Sequence, residues 1–164
     1  MATTLLGDTT VHLVGELPEV GSTTPKFTLT SARLTDDVTL PPDTRVVLNI
    51  FPSIDTRTCA TSVRRFNELA AGLENTTVIC VSADLPFALS RFCGAEGIEN
   101  VVTAASFRSS FGYDDGVRME NGGFAGLLAR SVVVIGTDGT VLHSELVPSI
   151  GQEPDYDAAI AALG

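Results

Sequence analysis

Two periods alternate along this chain, and the places where one gives way to the other mark its elements. The run Arg45-Val46-Val47-Leu48-Asn49-Ile50-Phe51 is nearly unbroken in its apolar and β-branched character, as a strand covered on both faces requires, and it stops at Pro52. From Cys59 onward the spacing changes. Val63, Phe66, Ala70 and Leu73 recur every three or four residues, while Arg64, Arg65, Asn67 and Glu68 fall off that stripe, so a helix starts near Cys59 and ends around Gly72. Thr77 to Ser82 repeats the buried-strand pattern, and Pro86 to Phe92, followed by Gly94, predicts a second, shorter helix.

The remaining elements are shorter. Ser131 to Ile135 and Val141 to Leu146 flank Gly136-Thr137-Asp138-Gly139, whose Asp-Gly step predicts a hairpin, and Asp155 to Leu163 predicts a closing helix. Thr3 to Leu13, interrupted by Gly7-Asp8, predicts a β-hairpin within residues 1–14 that is added to the main fold. Phe27 to Thr30 reads as a short strand, and Pro41-Pro42-Asp43 as a loop. Two βα units followed by a β-hairpin and a helix predict an α/β, thioredoxin-like fold, with a mixed central sheet flanked by helices on both faces. A length of 164 residues at 44% hydrophobic suits a single domain, 1–164.

Charge narrows the functions. Ten basic residues stand against twenty acidic ones, a net charge of -10 spread along the chain, which argues against nucleic acid as a partner because phosphate needs a basic face. Nine of the ten cations are arginines, so a functional cation here is expected to be a guanidinium. No stretch approaches the roughly 20 apolar residues that span a bilayer, and the N-terminal sequence lacks the features of a secretory signal; a cytoplasmic, non-membrane protein is expected. Three cysteines is an odd count in a chain too large to need disulfide staples, which turns attention to reactive thiols. His12 and His143 show no metal-ligand spacing with them, and no metal site is expected.

Pro52 to Cys59 lies between a buried strand and a helix start, where α/β folds place their sites. A cysteine in the first helical turn meets unpaired N–H groups and the positive end of the helix dipole, both of which favour thiolate over thiol. Each residue has a plainer reading as well. Cys59 alone could be a small core residue, Thr56 a helix cap, Cys93 a structural thiol near a helix end and Arg130 a surface ion pair. Cys80, inside a buried strand, is read as core.

The pattern Pro-x-x-x-Thr-x-x-Cys, met by Pro52, Thr56 and Cys59, resembles the signature of peroxiredoxins. Asn49 to Thr56, Ser82-Ala83-Asp84-Leu85-Pro86-Phe87-Ala88, Arg91-Phe92-Cys93-Gly94-Ala95-Glu96-Gly97 and Gly126-Leu127-Leu128-Ala129-Arg130 resemble, in order, the bacterial thiol peroxidase subfamily. The resemblance implies that Cys59 is the peroxidatic cysteine, that Thr56 hydrogen-bonds its sulfur and the peroxide, and that Pro52 shields the thiolate. It also implies that Arg130 orients thiolate and peroxide, and that Cys93 of the same chain resolves the sulfenic acid as a disulfide. A hydroperoxide substrate, hydrogen peroxide or organic, thioredoxin as reductant, a homodimer and no cofactor follow from the same resemblance. Met119 to Ala125 departs from the family loop, with Asn121 where an acid is common, and Arg57 adds a cation beside the pocket. The alternatives are a thioredoxin-like disulfide oxidoreductase, whose Cys-x-x-Cys is absent because Ser62 and Thr56 stand three residues either side of Cys59, and a redox sensor without turnover.

Overall fold

The structure, a computed structural model, describes residues 2–164. The apolar run becomes β5 (Arg45–Ile50), an interior strand of a seven-stranded sheet. It pairs in parallel with β6 (Thr76–Ser82) and antiparallel with β8 (Ser131–Ile135), so Asn49 lies opposite Cys80 on one side and Val132 on the other. β7 (Val102–Ala105) continues the parallel set beyond β6, and β3 (Thr28–Ser31) and β4 (Asp37–Thr39) extend it antiparallel. On the opposite edge β9 (Val141–Leu146) closes the expected hairpin with β8. Such a mixed sheet carries its site at the carboxyl ends of the parallel strands, where the chain turns into helices.

Helices cover the two faces unequally. α1 (Arg57–Ala70), α2 (Pro86–Glu96) and α4 (Tyr156–Ala161) bury Val63, Phe66, Leu89, Phe92 and Ala159 against Val47, Val78 and Val134 on one face. The other face, with Val46, Leu48, Ile79 and Val81, is covered by Phe27, Val117, Leu128 and the single turn of α3 (Phe111–Asp114). Each central strand is thus apolar on both sides, which is why its sequence reads as a run and not as an alternation.

Two details differ from the sequence expectation. α2 runs through Gly94 and ends only at Gly97, whose φ of 64° provides the left-handed cap that a side chain would resist. β4, β7 and α3, of three or four residues each, were too short for any periodicity to show.

The N-terminal hairpin of β1 (Thr3–Leu6) and β2 (Thr9–His12) forms as expected, but it is more than an appendage. Its Val11 and Leu13 are fully buried with Met119, Ala129 and Ile150 in a third apolar cluster. Asn121, the unusual residue of the Met119 to Ala125 loop, accepts from the His12 N–H at 2.7 Å and donates to the Thr10 carbonyl at 3.0 Å, pinning the hairpin where an acid could supply only the first of these bonds.

Candidate active site

Cys59 is the third residue of α1, and its side chain is 1% exposed. The helix start carries neither a side-chain cap nor an acidic residue in its first turn, so its N–H groups keep their positive partial charge for whatever sits at Cys59. Arg130, the residue before β8, is 2% exposed and donates from Nη2 to Cys59 Sγ at 3.2 Å. The contact sets a charged donor directly against the buried sulfur.

The guanidinium is itself held. Arg130 Nε donates to the Ile150 carbonyl at 2.9 Å, and the Ile150 N–H donates to Leu5 of the hairpin at 2.8 Å. Leu5 in turn donates to the Pro148 carbonyl at 3.0 Å, so β1 braces the segment that orients Arg130. The third guanidinium nitrogen, Nη1, is buried and has no hydrogen-bond partner among the described residues. A buried charged donor left unpaired beside a thiol is costly unless an acceptor arrives.

The loop Pro52 to Thr56 is fixed from β6. Asp84 accepts from Ser53 Oγ at 2.8 Å, from the Ile54 N–H at 2.7 Å and from Ser82 Oγ at 2.6 Å. Pro52 is buried. Thr56 occupies the N-cap position of α1, where its hydroxyl donates to the Ser53 carbonyl at 3.0 Å. Among the described residues the Thr56 hydroxyl makes no bond to Cys59 Sγ in this state, leaving the oxygen's lone pairs as its remaining capacity. Arg57 is exposed in the first turn of α1.

Cys93 is a free thiol in different surroundings. It lies near the end of α2, partly buried, 3.6 Å from the Thr103 hydroxyl of β7, and lines a cavity of about 840 Å³ with Ser90, Ile98 and Val101. Burial pushes its thiol up from the ordinary value, opposed by the Thr103 hydroxyl. Cys80, fully buried in β6, is pushed up to about 12 by burial and is a thiol at neutral pH, as the core reading expected. Sequence reasoning thus located Cys59, Arg130, Thr56 and Pro52 in one place, and it missed Asp84 and Ile150. Asp84 stood in a recognised block without a role; Ile150 contributes only its backbone, which no sequence signal marks.

Comparison with known proteins supplies the family. Residues 19–160 match the redoxin family model. The chain is 58% identical, over all of its own length and 99% of the relative's, to a thiol peroxidase of Mycobacterium tuberculosis (strain H37Rv). The chain belongs to the thiol peroxidases of the redoxin family. A thiol peroxidase of Corynebacterium glutamicum is 57% identical over 91% of both chains. Among solved structures, a peroxiredoxin-like protein from Aquifex aeolicus superposes with a TM-score of 0.93 at 37% identity, covering 98% of this chain and 95% of its own. The fold is accordingly the thioredoxin-like fold of peroxiredoxins with an N-terminal β-hairpin, as the sequence predicted.

Proposed function

We propose that this thiol peroxidase reduces hydroperoxides through Cys59 and Cys93 and is recycled by thioredoxin. The observation that carries the reading is the buried contact between Arg130 Nη2 and Cys59 Sγ, with Nη1 left free beside it. Cys59 thiolate attacks one oxygen of the O–O bond; an S–O bond forms, the O–O bond breaks, and the departing alkoxide or hydroxide takes a proton to leave as alcohol or water. Nη1 is the donor available to a peroxide oxygen, and Nη2 holds the sulfur in line. Thr56, through its hydroxyl oxygen, and Pro52, by excluding water, complete the pocket.

Cys93 thiolate then attacks the sulfenic sulfur; an S–S bond forms and hydroxide departs as water. A disulfide needs Cα atoms within about 7 Å. Cys59 and Cys93 sit on separate helices with separate partners, so the first turn of α1 and the Cys93 end of α2 unwind for resolution. Arg91 pairs with Asp55 of the site loop at 2.6 Å and Arg64 of α1 pairs with Glu96 of α2; both pairs are exposed, and opening them costs little.

The same reading extends to partners and setting. The chain acts as one domain, 1–164, and as a homodimer. Support for the second copy comes from Leu85, Phe87, Phe107 and Tyr113, exposed apolar side chains on the segments that follow β6 and β7, at the same end of the sheet as the site. Three unpaired cysteines fit a reducing compartment such as the cytoplasm. No helix among the described residues is long and apolar enough to cross a membrane.

The test is steady-state NADPH oxidation with thioredoxin, thioredoxin reductase and cumene hydroperoxide. Wild type turns over, Cys59→Ser is inactive, and Cys93→Ser consumes one equivalent of peroxide and stops. A Cys59→Ser variant as active as wild type overturns the reading.

A further inference from the structure

β5 carries one polar side chain in its fully buried stretch. Asn49 is wholly inaccessible, and its Nδ2 donates to Ser62 Oγ of α1 at 3.2 Å and to Cys80 Sγ of β6 at 3.7 Å. Ser62, equally buried, donates to the carbonyl oxygen of Cys59 at 2.8 Å. A chain of hydrogen bonds therefore runs from the centre of the sheet to the main chain of the reactive cysteine. The Asn49 carbonyl oxygen is buried with no partner among the described residues, so the amide is kept in the core at a cost that an apolar residue would avoid.

We infer that Asn49 and Ser62 form a clamp on the Cys59 turn that governs how readily α1 unwinds, and so how the sulfenic acid divides between disulfide formation and further oxidation. The inference rests on the proposed resolution by Cys93 and adds its control. Asn49 occupies a lone pair of the Ser62 hydroxyl, which turns the hydroxyl proton toward the Cys59 carbonyl. When the first turn of α1 unwinds, the Cys59 carbonyl leaves and that bond breaks. Asn49 and Ser62 make no hydrogen bond to the Cys59 sulfur, so both are positioning residues.

The consequence is a competition between two steps. Closure forms the S–S bond and releases the sulfenic oxygen as water. If closure is slow, a second hydroperoxide transfers an oxygen to the same sulfur, giving sulfinic acid and the alcohol or water. A clamp that slows unwinding lengthens the life of the sulfenic acid and makes the enzyme more sensitive to high peroxide.

Ser62→Ala separates this role from a merely structural one by its sign. Alanine has the higher helix propensity, so propensity alone stiffens α1 and slows closure, whereas loss of the clamp speeds it. Reduced enzyme is mixed with hydrogen peroxide, acid-quenched over time, alkylated and read by mass for thiol, disulfide and sulfinic forms. Closure in Ser62→Ala is expected to be roughly threefold to tenfold faster, the worth of one net hydrogen bond, with sulfinic acid appearing at correspondingly higher peroxide. Ser62→Thr, which keeps the hydroxyl, restores the wild-type rate, and Asn49→Leu, which removes its donor, follows Ser62→Ala. Closure that is unchanged or slower in Ser62→Ala, while wild type forms the Cys59–Cys93 disulfide, overturns the clamp alone. A wild type that forms no such disulfide overturns the resolving role of Cys93 and the clamp together.

Discussion

Arg130 reaches the Cys59 sulfur at 3.2 Å because its own Nε is fixed to the Ile150 carbonyl at 2.9 Å. The two bonds use different nitrogens of one planar group, so the position of the sulfur contact is set by a backbone segment that never meets the substrate. Lysine cannot reproduce this, having a single ammonium on a flexible stem. Arg130→Lys is expected to lower the second-order rate of peroxide reduction by roughly 10²- to 10³-fold, the usual cost of one preorganised donor at a reacting oxygen. Stopped-flow oxidation of the reduced enzyme checks this, and a loss below tenfold would deny Arg130 its role.

The brace behind Arg130 makes a second expectation. Leu5→Pro removes the N–H that bonds Pro148, in the strand that also receives the Ile150 N–H. The Arg130 contact should loosen, and the peroxide rate should fall by about tenfold while far-ultraviolet circular dichroism stays near that of wild type. Unchanged kinetics would return the hairpin to the status of an appendage, as its sequence first suggested.

Asp84 does for the loop what Ile150 does for the arginine. Its two oxygens accept three bonds, two of them from the Ser53 hydroxyl and Ile54 N–H that shape the approach to Thr56. In Asp84→Asn one oxygen becomes an NH₂ that faces donors, and at least one bond is lost. The peroxide rate is expected to drop about tenfold or more, with a thermal midpoint a few degrees lower. A variant with wild-type kinetics would show that the loop holds its shape without Asp84.

How much of this was legible depends on what each residue contributes. β5, β6 and β8 were readable because burial on both faces leaves a continuous apolar run, and α1 because Val63 and Phe66 face the sheet while Arg64 and Arg65 face water. Val102 to Ala105 was not, since two alanines and four residues in all carry no period. In the site, Cys59, Thr56 and Arg130 were singled out because they lie in blocks that resemble a known family, and the structure sets Arg130 Nη2 at the Cys59 sulfur. The restraints on them come from a carbonyl at Ile150, a carboxylate thirty residues away at Asp84, and Asn49. Only the last left a usable mark: a polar residue inside a buried strand has to find a partner somewhere.

The raised Cys93 thiol has a sign that can be read in kinetics. Because burial favours the protonated form, little thiolate is present at neutral pH, and each rise in pH supplies more of the attacking species. The first-order closure of the disulfide is expected to climb by about tenfold per pH unit from pH 6.5 to 8. A flat profile measured by stopped flow would mean that unwinding, and not ionisation, limits closure over the whole range.

Asp115 offers a test of stability that leaves the thiols aside. It caps the end of α3 with its side chain 1% exposed and both carboxylate oxygens unpartnered among the described residues. Burial, with the neighbouring Asp114 adding repulsion, raises its pKa from 3.8 to about 7. The folded state thus prefers the protonated carboxyl. That preference is fully expressed below pH 3.8 and is lost as the pH rises through about 7, where the folded protein must hold an unpaired charge. At pH 8 the penalty has an upper bound of about 4 kcal/mol, the free-energy equivalent of that rise in pKa. Asp115→Asn removes the charge at nearly the same shape. Its thermal midpoint should exceed that of wild type at pH 8 and converge with it toward pH 4. Parallel curves across that range would show that the carboxyl titrates alike in the folded and unfolded protein, and a variant less stable at pH 8 would show that the charge has a partner.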